Sequence, residues 1–79
     1  MNVNQFVEKL SDEFQSTFSV VNENTLANSL GMQENDFDEV IRIIRKYVPN
    51  AYVKFTRTGQ FFSQEVPMYD VYLIRVNVT

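Results

Sequence analysis

Glu34, Asp36, Asp38 and Glu39 crowd four carboxylates into six consecutive positions. Carboxylates at that spacing suit three kinds of chemistry: holding a hard cation, passing a proton as an acid/base pair, or imitating the charge of a nucleic acid. A calcium loop needs a longer run of oxygen ligands around a glycine, whereas Asp36-x-Asp38-Glu39 opens a helix, where capping and solvation account for it. Acid/base catalysis needs a second polar constellation and enough chain to enclose a pocket, and neither accompanies the cluster. The 79 residues include no cysteine and no histidine, which excludes thiol nucleophiles, imidazole bases, disulfides and metal sites built on nitrogen or sulfur. The expectation is a non-enzymatic chain with no cofactor, no metal and no small-molecule substrate.

Charge is divided along the chain. Residues 1–41 carry one lysine against eight acids, net −7, and residues 42–79 carry six bases against two acids, net +4. One reading is a dipolar molecule whose basic side, formed by Arg42, Arg45, Lys46, Lys54 and Arg57, meets phosphate or an acidic protein. The other is local: acids at the start of a helix and bases at its end complement the helix dipole, each by about 0.3–1 kcal/mol, without any partner. The total of −3 and a pI near 4.7 argue against indiscriminate binding to nucleic acid or anionic lipid. No apolar run is long enough for a membrane span, and the polar opening Met1–Gln5 does not resemble a signal peptide, so the expected setting is cytoplasmic.

The aromatics define further candidates. Phe61 and Phe62 adjoin Gly59 and precede Pro67 in a predicted loop, where they either fold back as a plug on the core or serve a partner as anchors. Tyr52-Val53-Lys54-Phe55-Thr56-Arg57 interleaves cations with aromatics as single-strand binders do. Alternation, however, sets Tyr52 with Lys54 and Thr56, and Phe55 with Val53 and Arg57, leaving a single tyrosine as the stacking platform. Between Met68 and Val78 both faces are apolar, one carrying Met68, Tyr72, Ile74 and Val76 and the other Tyr69, Val71 and Leu73. A sheet packed on one side needs only one apolar face, so Tyr69, Val71 and Leu73 mark a surface covered by the chain's own termini or a docking face for a dimer or partner.

These residues must be positioned by one small α+β domain spanning residues 1–79. Val3, Phe6, Val7, Leu10 and Phe14 recur at three- and four-residue spacing and predict a helix from about residue 3 to 15, capped by Asn2 with Gln5 in the capping-box position. Thr17–Val21 reads as a brief strand, and Asn22-Glu23-Asn24 as a turn and helix cap. Leu26, Ala27 and Leu30 suit the inner face of a short second helix, which Gly31 ends as a left-handed corner. Asn35 caps a third helix bearing Phe37, Val40, Ile41, Ile44, Tyr47 and Val48, which Pro49 stops. Ala51–Arg57 and Met68–Val78 are strands, with a polar turn around Thr58-Gly59-Gln60.

That order, with Leu26-Ala27, Leu30-Gly31-Met32, Phe37 and Val40 at their spacing, resembles the winged helix-turn-helix superfamily over nearly the whole chain. Ala27 is small where the two helices would cross, and Gly31 follows four residues later at the turn. The resemblance implies three helices, a short strand after the first, and a C-terminal β-hairpin. It further implies a recognition helix with Gln33, Glu34, Asn35, Asp38, Glu39 and Arg42 outward, and a wing at Thr58–Gln64 that includes Gln60, Phe61 and Phe62.

The acids at that helix's leading end would meet phosphate with like charge. The expected function is therefore a module that binds a protein partner in a transcription or replication complex, resembling compact acidic phage or plasmid modulators that mimic nucleic-acid charge. One alternative is a dimeric regulator of transcription that binds double-stranded DNA through Arg42, Arg45, Lys46, Lys54 and Arg57, with Gln33 and Asn35 as base readers. Another is a structural or assembly protein that self-associates through its free strand face.

Overall fold

Val3, Phe6 and Leu10 are buried along one side of a 3-10 turn at Val3–Gln5 and a helix at Val7–Phe14 (α1), while Glu8, Lys9, Asp12 and Glu13 face solvent. This is the stripe that the apolar spacing predicts. The computed structural model describes residues 3–14, 16–30, 32–62, 64 and 68–78; the predicted cap Asn2 and corner Gly31 lie outside them.

Thr17–Asn22 (β1) is the expected strand, but no helix follows it. Glu23 and Asn24 form a tight turn in which the Asn24 N–H donates to Asn22 Oδ1 at 3.1 Å, and Thr25–Leu30 (β2) returns antiparallel to β1. Leu26 and Asn28 of β2 both point into the core, and both are fully buried. The Asn28 amide donates to Ser16 Oγ at 2.9 Å and to the Thr17 carbonyl at 3.1 Å. A polar residue at an inward strand position breaks the apolar alternation, and the four-residue interval from Leu26 to Leu30 then fits one helical turn equally well. The expected second helix is thus a strand. The winged-helix arrangement of three helices and a terminal hairpin gives way to two α-helices and a four-stranded antiparallel sheet.

A 3-10 turn at Glu34–Asp36 leads into Phe37–Tyr47 (α2), the helix that the pattern of Val40 and Ile44 predicts. Its entry is fastened by Asp36 rather than by Asn35. Asp36 Oδ2 accepts from the Gln33 N–H at 2.9 Å, and the Asp36 N–H donates to the Gln33 carbonyl at 2.9 Å. Val40, Ile43 and Ile44 are buried; the Val48 N–H, donating to the Ile44 carbonyl at 2.9 Å, closes the helix ahead of Pro49. Asp38 and Glu39 in the first turn and Arg45 and Lys46 in the last complement the helix dipole.

Ala51–Phe61 (β3) and Tyr69–Val78 (β4) complete a sheet of order β1-β2-β4-β3, with every neighbouring pair antiparallel. Thr58-Gly59-Gln60 is not the hairpin turn; β3 runs through it. Arg57 pairs with Tyr72 and Gly59 with Val71, so Thr58 is the extra residue of a β-bulge, and its hydroxyl donates to the Val71 carbonyl at 3.0 Å. The bulge carries strand geometry past the glycine that otherwise signals a turn.

Both helices pack on the sheet face that carries Phe18, Leu26, Ile74 and Val76, which form the core with Leu10, Val40 and Ile44. A one-sided sheet of this kind leaves its other face to solvent. The molecule measures 38 × 21 × 21 Å because β3 and β4 outrun the other strands. β2 pairs with β4 only from Tyr72 to Arg75, so residues 59–61 and 69–71 project as a two-stranded arm.

Candidate functional site

The arm gathers apolar side chains where the core does not need them. Phe61 pairs with Tyr69 across the strands, and their rings stack with centroids 6.0 Å apart. Phe62 and Met68, the next residues outward, are 72% and 53% exposed, and Phe61 is 47% exposed. Of the two expectations for Phe61-Phe62, the plug is therefore excluded: the rings stand in solvent. At the base of the arm, Met32–Asp36 lies beside β4 and encloses with Met68, Tyr69, Asp70 and Tyr72 a cleft of about 660 Å³. Glu34, Asp36 and Asp70 make this cleft acidic. Its floor includes Tyr72, whose phenol is pushed above the ordinary tyrosine range by burial, then by the negative charges of Asp70 and Glu34, with Arg57 opposing. Arg57 Nη1 approaches Asp70 Oδ1 at 3.7 Å, an ion pair too long to be a hydrogen bond.

Gln33, Glu34 and Asn35 stand together and exposed, Gln33 just before and the other two within the 3-10 turn that leads into α2, and this turn lies beside the arm. Asp38, Glu39 and Arg42 lie exposed on α2, with Arg42 Nη2 and Glu39 Oε1 3.9 Å apart. The five bases expected to share one side do not form one cationic surface. Lys46 Nζ is bound to Glu13 Oε1 at 2.8 Å, tying α2 to α1 and holding the Glu13 carboxyl below its usual range. Arg45 Nε donates to the Ala51 carbonyl at 3.3 Å, and Arg57 faces Asp70. Lys54 sits apart on the opposite face of the sheet. Gln60 is exposed on β3, paired with Asp70.

That opposite face carries Tyr69, Val71 and Leu73, all half-buried, as the strand alternation predicts. Alongside them lie Tyr52, Lys54 and Thr56 of β3 and Thr25 and Ala27 of β2, with Arg75 next in line on β4. Tyr52 is the stacking platform that the strand alternation predicts; Arg75 carries no such signal by itself, although the alternation that sets Leu73 outward also sets Arg75 outward. Acids are sorted away from this surface. Seven lie in the helical layer, Glu23 in the β1–β2 turn, and Asp70 on the helix-facing side with Arg57, while Glu65 is outside the described residues.

Among the described residues, no group of three or more carboxylates is placed to hold a metal ion, and no helix is long and apolar enough to cross a membrane. No family model matches the chain, and neither a curated protein nor a solved structure matches it.

Proposed function

We propose that the chain is a small, non-enzymatic, cytoplasmic module that binds a protein partner through the β3–β4 arm. The observation that carries this reading is the exposure of Phe61, Phe62 and Met68 together at the end of the arm, beside the acidic cleft at its base. Aromatic and methionine side chains clustered outside a core are the anchors from which interfaces draw most of their energy, and ringing charges set partner choice and orientation. The partner surface that complements this one has an apolar pocket flanked by lysine or arginine. Such a surface is common on proteins that handle nucleic acid, which fits a modulator of a transcription or replication complex.

The test is affinity capture from the source cell with the wild-type chain, with the double variant Phe62→Ser/Met68→Ser, and with Lys54→Met as a control on the opposite face. The expected partner is recovered by the wild type and the control and is lost from the double variant, while circular dichroism shows all three folded. Equal recovery by all three refutes the reading. Recovery of the chain itself, with light scattering of the purified protein above monomer mass, assigns the arm to self-association instead.

A further inference from the structure

We propose that the uncovered face of the sheet binds single-stranded nucleic acid, with Lys54 and Arg75 on adjacent phosphates and Tyr52 stacking a base. The proposal is independent of the protein-binding arm. Lys54 and Arg75 are direct cross-strand partners on β3 and β4, and like charges placed opposite one another destabilise a sheet. Among the described residues neither has an ion-pair partner, and no acid shares their face. A chain of net charge −3 thus keeps two uncompensated cations side by side at the middle of its open surface. An external anion relieves their repulsion, and among the described residues no carboxylate does.

The surroundings select the kind of anion. Thr25 and Thr56 join the two cations, Leu73 and Val21 around a shallow depression of about 320 Å³. The Thr25 hydroxyl donates to Asn24 Oδ1 at 3.2 Å, and the exposed Thr56 hydroxyl stands beside a small apolar floor. Tyr52 is 57% exposed and two residues from Lys54 on the same strand face, a step of about 6.6 Å. Aromatic rings beside cations on an open sheet hold unpaired bases by stacking while the cations take the backbone. A DNA duplex fits less well, since its major groove admits a helix or a two-stranded ribbon rather than a sheet four strands wide. A sheet enters the minor groove only by prying the duplex open, which two cations and one tyrosine do not drive. An acidic peptide would satisfy the two charges but has no use for the tyrosine.

The experiment measures fluorescence anisotropy of labelled oligothymidylate and oligouridylate of about 15 nucleotides, within the usual range of single-strand sites, at low salt and over a salt titration. An oligoglutamate of equal length and a duplex serve as comparison probes. For the wild-type chain, affinity for the single strands should fall with salt at a log–log slope near −1.4, about −0.7 for each phosphate neutralised. The double variant Lys54→Met/Arg75→Met, which keeps both aliphatic stems, should lose this binding without a lower unfolding temperature. Tyr52→Ala should weaken it roughly tenfold, and Tyr52→Phe should retain it. Preference between the two strands tells DNA from RNA. The proposal is overturned if the wild type does not bind either strand, or if the double methionine variant binds as well as the wild type. It is likewise overturned if oligoglutamate binds as tightly and Tyr52→Ala changes nothing, which would make the face a site for acidic peptides. Phe62→Ser/Met68→Ser leaves binding unchanged, so failure here does not bear on the arm.

Discussion

The rings of Phe37 and Phe55 lie parallel, 5° apart in plane and 4.0 Å between centroids, joining the first residue of α2 to the middle of β3. Tyr72 of β4 meets the same Phe37 edge-on at 5.1 Å. Through these contacts the turn holding Glu34 and Asp36 is fixed against the root of the arm. Phe55→Ala should therefore cost about 2–3 kcal/mol, somewhat less than a fully buried phenylalanine because Phe55 is only partly covered. Chemical denaturation checks this, and Phe55→Leu should recover about half of the loss.

Asn28 ties β2 to the junction between α1 and β1. Asn28→Ala removes the donor for the Thr17 carbonyl and Ser16 hydroxyl and leaves a void, a loss of about 1–3 kcal/mol. Ser16→Ala in that background should add little, since the two side chains share one interaction. A double-mutant cycle from denaturant midpoints measures the coupling.

Tyr72 makes stability depend on alkaline pH. Tyr72 is a buried residue, and its phenol keeps its proton in the folded protein to higher pH than in the unfolded chain, where release occurs near 10.0. Above that pH the unfolded state binds fewer protons than the folded one, so stability declines as pH rises. The contribution is complete below pH 10.0 and is lost on passing through the folded-state value. Unfolding midpoints followed into the alkaline range should fall less steeply for Tyr72→Phe than for the wild type.

Gly59 should tolerate a side chain. Its backbone lies outside the left-handed region, and a Cβ would meet only the Phe61 ring at 3.7 Å, an ordinary contact. Gly59→Ala is expected to stabilise by about 0.4–1 kcal/mol by narrowing the unfolded ensemble. A rise of a few degrees in melting temperature is the readout. A drop would show that the glycine holds the bulge open.

The sequence carries α1 and α2 plainly, since Phe6 and Leu10, and Val40 and Ile44, repeat at the helical interval with charged residues opposite. The outward set of β4 is equally legible in Tyr69, Val71 and Leu73. Thr25–Leu30 is not, because the identity of Asn28 gives no hint that Ser16 and the Thr17 carbonyl wait to satisfy it inside the core. Only the folded chain supplies those partners. The same limit applies to the candidate surfaces: Lys54, Phe61 and Phe62 could be singled out by type and place, whereas the meeting of Lys54 with Arg75 depends on strand register. Register in turn depends on the bulge at Thr58, which a neighbouring glycine disguises as a turn.

The spare residue at Thr58 exchanges the phase of β3. On its N-terminal side the even-numbered residues Tyr52, Lys54 and Thr56 look outward; beyond it the odd-numbered Phe61 does, brought into line with Tyr69. Were Thr58 seated in the ladder as an ordinary strand residue, strict alternation would rotate Phe61 toward the helices and Gln60 away from them. Removing it would instead leave an unbulged strand with Phe61 still beside Tyr69. What the arm shows a partner is thus controlled by how one threonine is seated as much as by the letters beyond it.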